Sequence, residues 1–109
     1  MKKETKISIL GAGAIGCTLV ARLILAGCER VSLIARGDNF QVLSKQGIHL
    51  KDLTGEYQLT PYRVVQDIAE LEPQDLIFIA TKSNALHQVT ASIQQAVHAE
   101  TVVIPLMNG

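Results

Sequence analysis

The stretch Lys6-Ile7-Ser8-Ile9-Leu10-Gly11-Ala12-Gly13-Ala14-Ile15-Gly16 constrains the fold more than any other part of the chain. Ile7 to Leu10 is a short apolar run without Pro or Gly, the pattern of a strand buried on both faces. Glycine then recurs at Gly11, Gly13 and Gly16, and a long apolar segment with helical character runs from Ala14 to Ala26. Strand, glycine turn and helix in that order are the context in which G-x-G-x-x-G carries meaning. Gly11 permits the tight turn, Gly13 leaves room for a pyrophosphate against the backbone, and Gly16 lets helix and strand pack closely. The pyrophosphate would rest on the N–H groups at the helix start, where the helix dipole also favours negative charge. Gly11, Ala12, Gly13, Ala14, Ile15 and Gly16 therefore read as a dinucleotide site, against the plainer alternative of a glycine-rich connection with no ligand.

At 109 residues the chain is long enough for one domain with a real core and too short for two. With 48% hydrophobic and 18% charged residues, disorder is excluded as the general state. A formal net charge of zero gives no electrostatic case for nucleic acid or an anionic membrane as a partner, and leaves a local phosphate site open. Cys17 lies within the predicted helix and Cys28 just beyond its end, too far apart along its axis to bridge, and no metal-ligand spacing is present. Both read as thiols of a reducing compartment. Met1-Lys2-Lys3, an apolar stretch and Leu25-Ala26-Gly27-Cys28 imitate a lipoprotein signal peptide, but Arg22 and three glycines interrupt the apolar region. A soluble, cytoplasmic protein is expected.

The remainder of the chain continues the same architecture. The helix over Ala14 to Ala26 carries only a narrow polar stripe, Thr18 and Arg22, so it is expected to pack against more than its own sheet, either a second domain or a partner copy in a homo-oligomer. Gly27 reads as its C-terminal stop. Val31 to Ala35 is a second buried strand, and Asp38 with Gln41 fits a capping box for a helix through about Lys45. From Ile48 the pattern alternates: Ile48, Leu50, Tyr57 and Leu59 share one face of a hairpin turning at Thr54-Gly55. Arg63 to Val65 returns to the parallel sheet, Gln66 to Glu72 is short and polar, and Asp75 to Ala80 is another strand. A helix is predicted over Asn84 to Val97 and a last strand over Thr101 to Leu106. The expectation is an α/β, doubly wound, mostly parallel sheet with a β-hairpin excursion, in a single domain over 1–109 that reads as a fragment of a two-domain protein.

In open parallel sheets, ligands bind outside the carboxyl ends of the strands. The glycine loop, Arg36, Lys82 and Asn108 all fall there. Arg36 lies about twenty residues beyond Gly16, where a carboxylate usually serves NAD and an arginine the 2′-phosphate of NADP. No acid stands at the strand end, so NADP is favoured, with Asp38 offering itself to ribose only if the loop shifts. Lys82 could face phosphate, ribose or an acidic substrate, and Asn108 a ribose hydroxyl or a substrate carboxylate; a solvated lysine and an ordinary Asn-Gly turn are the plain alternatives. His49, His87 and His98 share no metal spacing and read as surface histidines. No residue here reads as a general acid or base.

Gly11-Ala12-Gly13-Ala14-Ile15-Gly16, Ala35-Arg36-Gly37, Thr81-Lys82 and Asn108-Gly109, in this order and spacing, resemble the amino-terminal domain of the ketopantoate reductases, the 2-dehydropantoate 2-reductases of pantothenate biosynthesis. Essentially the whole chain resembles about the first third of a family member. The resemblance implies an NADPH-binding domain, with the glycine loop on pyrophosphate, Arg36 on the 2′-phosphate, and Lys82 and Asn108 near the nicotinamide ribose and a 2-oxo acid substrate. It also implies a catalytic lysine on a helical carboxyl-terminal domain, so no catalytic residue is assigned here. Met107 departs from the glutamine often found before Asn-Gly in the family. Two rivals stand beside this reading. One is the nucleotide domain of another 2-hydroxyacid or glycerol-phosphate type dehydrogenase, and the other is a non-catalytic nucleotide-sensing module.

Overall fold

The computed structural model describes residues 3–80 and 93–106. Its centre is β1 (Ile7–Leu10), every residue of which is buried. A parallel strand, β2 (Val31–Ile34), lies on one side in the register Ile7 to Val31 and Leu10 to Ile34, and is equally buried. Between them runs α1 (Ala14–Leu25), and after β2 comes α2 (Gly37–Gln46). The chain then leaves the sheet as an antiparallel hairpin, β3 (Ile48–Asp52) and β4 (Gly55–Leu59), and rejoins it at β5 (Arg63–Val65), parallel to β2. A 3₁₀ turn (Ile68–Glu70), β6 (Leu76–Ile79), a second 3₁₀ turn (Gln94–Ala96) and β7 (Val102–Pro105) follow. The five sheet strands are ordered β5-β2-β1-β6-β7 and pair in parallel throughout. The expected α/β sheet with a hairpin excursion is the fold observed.

Alternation of side chains through the sheet divides the core in two. On one face Ile7, Ile9, Val31 and Leu33 pack with Val20 and Ala21 of α1 and with Ile48 of the hairpin. On the other, Leu10, Ile34, Val65, Ile77 and Ile79 pack with Ile68, Leu71 and Ala96. Helix α1 ends in a Schellman arrangement: Gly27 N–H donates to Ile24 O and Cys28 N–H to Leu23 O, both at 3.0 Å, with Gly27 at φ +102. Ile15 on α1 remains 51% exposed. It lines an open apolar groove of about 500 Å³ with Leu19, Phe78 and Leu106. Among the described residues, no helix is long and apolar enough to cross a membrane.

Two local expectations are corrected. Asp38 does not cap α2: Arg36 is the N-cap, with φ −129 and ψ 158, and no side chain caps this helix. The hairpin tip is Leu53-Thr54 rather than Thr54-Gly55, because Asp52 pairs with Gly55. The Asp52 carboxylate makes that turn by accepting from Thr54 N–H at 2.8 Å and from Thr54 Oγ1 at 2.6 Å. Its other oxygen meets Arg22 at 2.8 Å, so the polar stripe of α1 anchors the hairpin. Of the helix predicted over Asn84 to Val97, the part within 81–92 lies outside the described residues. Ile93 is helical, and the 3₁₀ turn after it precedes an extended Val97.

The Thr54 hydroxyl, then the Thr54 N–H and Arg22, hold the Asp52 carboxyl below the usual aspartate range. The Lys6 backbone N–H, then His98, do the same for Asp75. Folded values below the unfolded ones mean that this stability is whole above the ordinary aspartate value of about 3.9 and is lost as pH falls from there through the depressed values. The double variant Asp52→Asn/Asp75→Asn is expected to flatten the acid limb of the urea midpoint plotted from about pH 2 to 7. An acid limb as steep as the native one would refute these two carboxylates as its source.

Candidate cofactor site

The site is built where β1 stops. Gly11 N–H still donates to Ile34 O at 3.1 Å, but Gly11 turns the chain with φ +115, a conformation that favours glycine. Gly13, at φ −74 and ψ −175, is the N-cap of α1, and the first helical bond runs from Cys17 N–H to Gly13 O at 3.0 Å. No side chain caps α1 and no acid stands in its first turn. Its leading N–H groups are thus presented at an exposed surface formed by Gly13, Ala14 and Ile15.

The other two glycines of the loop stand in different surroundings. A Cβ on Gly16 would fall 2.0 Å from Gly11 O, so Gly16 is what lets α1 sit on the turn. A Cβ on Gly13 would meet nothing within 4 Å, and its backbone angles suit any residue. Among the described residues, neither packing nor conformation calls for glycine at position 13. A pyrophosphate pressed against the backbone would find room there, so the loop residues fit a dinucleotide. A further element was not legible from spacing: the Cys17 thiol donates to Ala12 O at 3.3 Å and ties the loop to the helix. Burial pushes the Cys17 thiol up, which keeps it protonated as a donor.

Buried Ala35 bonds Val65 O at 2.9 Å, and Arg36 emerges beyond it, exposed, at the carboxyl end of β2. Because Gly11 bonds Ile34, Arg36 stands at the same sheet edge as the glycine loop. Asp38 is exposed in the first turn of α2. The neighbouring strands finish at this edge as well, with Ala80 N–H on Leu10 O at 2.7 Å and Leu106 N–H on Ile79 O at 2.8 Å. Lys82 and Asn108 lie outside the described residues, as does His87. His49 is exposed and 3.5 Å from Glu56, while His98 hydrogen-bonds Asp75 at 2.8 Å. Among the described residues, no group of three His, Cys, Asp or Glu could hold a metal ion.

A parallel sheet in this order, with a glycine turn opening into an uncapped helix at the carboxyl edge, defines a Rossmann-type α/β domain. The sequence model described as Ketopantoate reductase PanE/ApbA matches residues 7–109. The chain belongs to that family, one of NAD(P)H-dependent oxidoreductases. A 2-dehydropantoate 2-reductase of Mesorhizobium japonicum is 35% identical over 104 residues, which are 95% of this chain and 32% of that protein. The structure of a PanE/ApbA family ketopantoate reductase from Ralstonia eutropha JMP134 superposes with a TM-score of 0.85 at 30% identity, covering 96% of this chain and 35% of that one. A D-mandelate dehydrogenase, solved as a ternary complex with NADH and anilino(oxo)acetate, gives 0.81 at 31% identity, covering 96% and 34%. The chain thus spans about a third of the length of the relatives it matches.

Proposed function

We propose that this chain is the NADPH-binding domain of a 2-dehydropantoate 2-reductase, the ketopantoate-to-pantoate step of pantothenate biosynthesis. The observation that carries the cofactor half is the open space at Gly13 before an uncapped α1, in a chain of this family. The loop from Gly11 to Gly16 holds the pyrophosphate, and Arg36 takes the 2′-phosphate through its forked donors. Lys82 and Asn108 serve the nicotinamide ribose and the 2-oxo acid. The reduced nicotinamide, when bound, supplies the hydride. Protonating the ketone oxygen needs an acid, and no described residue at this edge offers one. Binding without turnover is therefore the expected behaviour of this chain by itself.

The D-mandelate dehydrogenase complex with NADH supports a second reading, the cofactor domain of a 2-hydroxyacid dehydrogenase. Coenzyme titration tests the first. Arg36→Ala is expected to weaken NADPH by about ten- to a hundredfold, the worth of a charge-assisted phosphate contact, and to leave NADH nearly unchanged. Equal losses for both coenzymes, followed by nicotinamide fluorescence, would remove Arg36 from the 2′-phosphate.

A further inference from the structure

Asp38 makes no side-chain cap, and its remaining structural contribution is the negative charge it lends to the start of α2. It sits in the first turn of α2, two positions after the N-cap Arg36, and is exposed. Among the described residues, no hydrogen bond or ion pair engages its carboxylate. The helix start it flanks has no side-chain cap, and among the described residues a Cβ on the intervening Gly37 would meet nothing within 4 Å, so the space beside Gly37, between the two charged residues in sequence, is open. Arginine there favours a 2′-phosphate, and a carboxylate favours a bare ribose diol. This chain carries both.

We propose that Asp38 is a specificity-determining residue of the cofactor site, opposing the 2′-phosphate that Arg36 attracts and accepting from the ribose 2′-hydroxyl of NADH. The inference rests on the cofactor reading above and adds to it: the coenzyme balance is set by two opposed side chains, not by Arg36 alone. The carboxylate meets a phosphate dianion across water-like dielectric, which opposes NADPH several-fold. The same carboxylate gives NADH a charge-assisted hydrogen bond that asparagine makes more weakly. Asp38 also stands in the first turn of α2, where its charge favours the helix dipole, so exchanging that charge costs the helix a little stability and leaves its backbone bonds in place.

The experiment titrates NADPH and NADH against the native chain, Asp38→Asn and Asp38→Glu, each checked by circular dichroism for a native-like fold at the titration temperature. Asp38→Asn is expected to tighten NADPH about three- to tenfold and to weaken NADH by a similar factor. The gain for NADPH shrinks as salt is raised, since the repulsion is between exposed charges. Asp38→Glu, which keeps the charge, stays close to native. A native chain that binds NADPH while Asp38→Asn shifts neither coenzyme, or both alike, overturns the Asp38 role and leaves the function reading standing. A native chain that binds neither coenzyme overturns both.

Discussion

Gly16→Ala is expected to cost this domain much of its stability. A Cβ there lies 2.0 Å from Gly11 O and 3.2 Å from Gly11 C, with Ile9 Cγ2 at 3.4 Å. The first two contacts are backbone, so no rotamer change relieves them. Relief requires lifting the first turn of α1 from the glycine loop or unmaking the turn at Gly11. Either motion pulls on Val20 and Ala21, which are fully buried against Ile7 and Ile9. Overpacking a core costs about 1–3 kcal/mol, and a clash between backbones belongs at the upper end. Against a total of roughly 5–15 kcal/mol for a domain, a loss of about 3 kcal/mol would lower the melting temperature by roughly 12–24 °C. Thermal unfolding followed by circular dichroism reads this directly, with Gly13→Ala as the matched control. A Gly16→Ala protein that melts with the control would mean that α1 does not rest on the turn.

What was legible in the sequence was whatever the backbone demands by composition. Strands β1 and β2 are buried throughout, so they are written as continuous apolar runs that need no partner to be recognised. The hairpin was legible by alternation, because Ile48 pairs with Leu59 and Leu50 with Tyr57 on one face. Its tip was misplaced by one residue because the Asp52 side chain makes the turn, which leaves Gly55, at φ +144, to open β4. The spacing of Asp38 and Gln41 satisfied a capping box that the chain does not use. Gly37 enters α2 with φ +59, which shifts the cap to Arg36, and side-chain spacing carries no record of that angle. A true capping box forms instead at Asp67 and Glu70, in a stretch that read only as short and polar. Within the site, the glycines were readable because each answers a steric demand, whereas the bond from Cys17 to Ala12 depends on how the first turn of α1 is placed over the loop.

Gly13→Val is expected to abolish dinucleotide binding while leaving the fold in place, the opposite outcome to that at Gly16. The Gly13 backbone, at φ −74 and ψ −175, lies in the extended region that valine prefers. Among the described residues a Cβ there meets no atom within 4 Å, so the side chain leaves the backbone into open space. Its two methyl groups would instead fill the space over the leading N–H groups of α1, where a pyrophosphate must come within about 3 Å to be hydrogen-bonded. A side chain cannot be compressed into that gap, so affinity should fall at least about a hundredfold, or roughly 2.7 kcal/mol. Gly13→Ala, with a single methyl group in the same space, should fall between. The measurement pairs NADPH titration with a melting curve for each variant. Native-like binding by a folded Gly13→Val protein would show that the open side of Gly13 faces no ligand. The cofactor would then have to be sought away from the glycine loop.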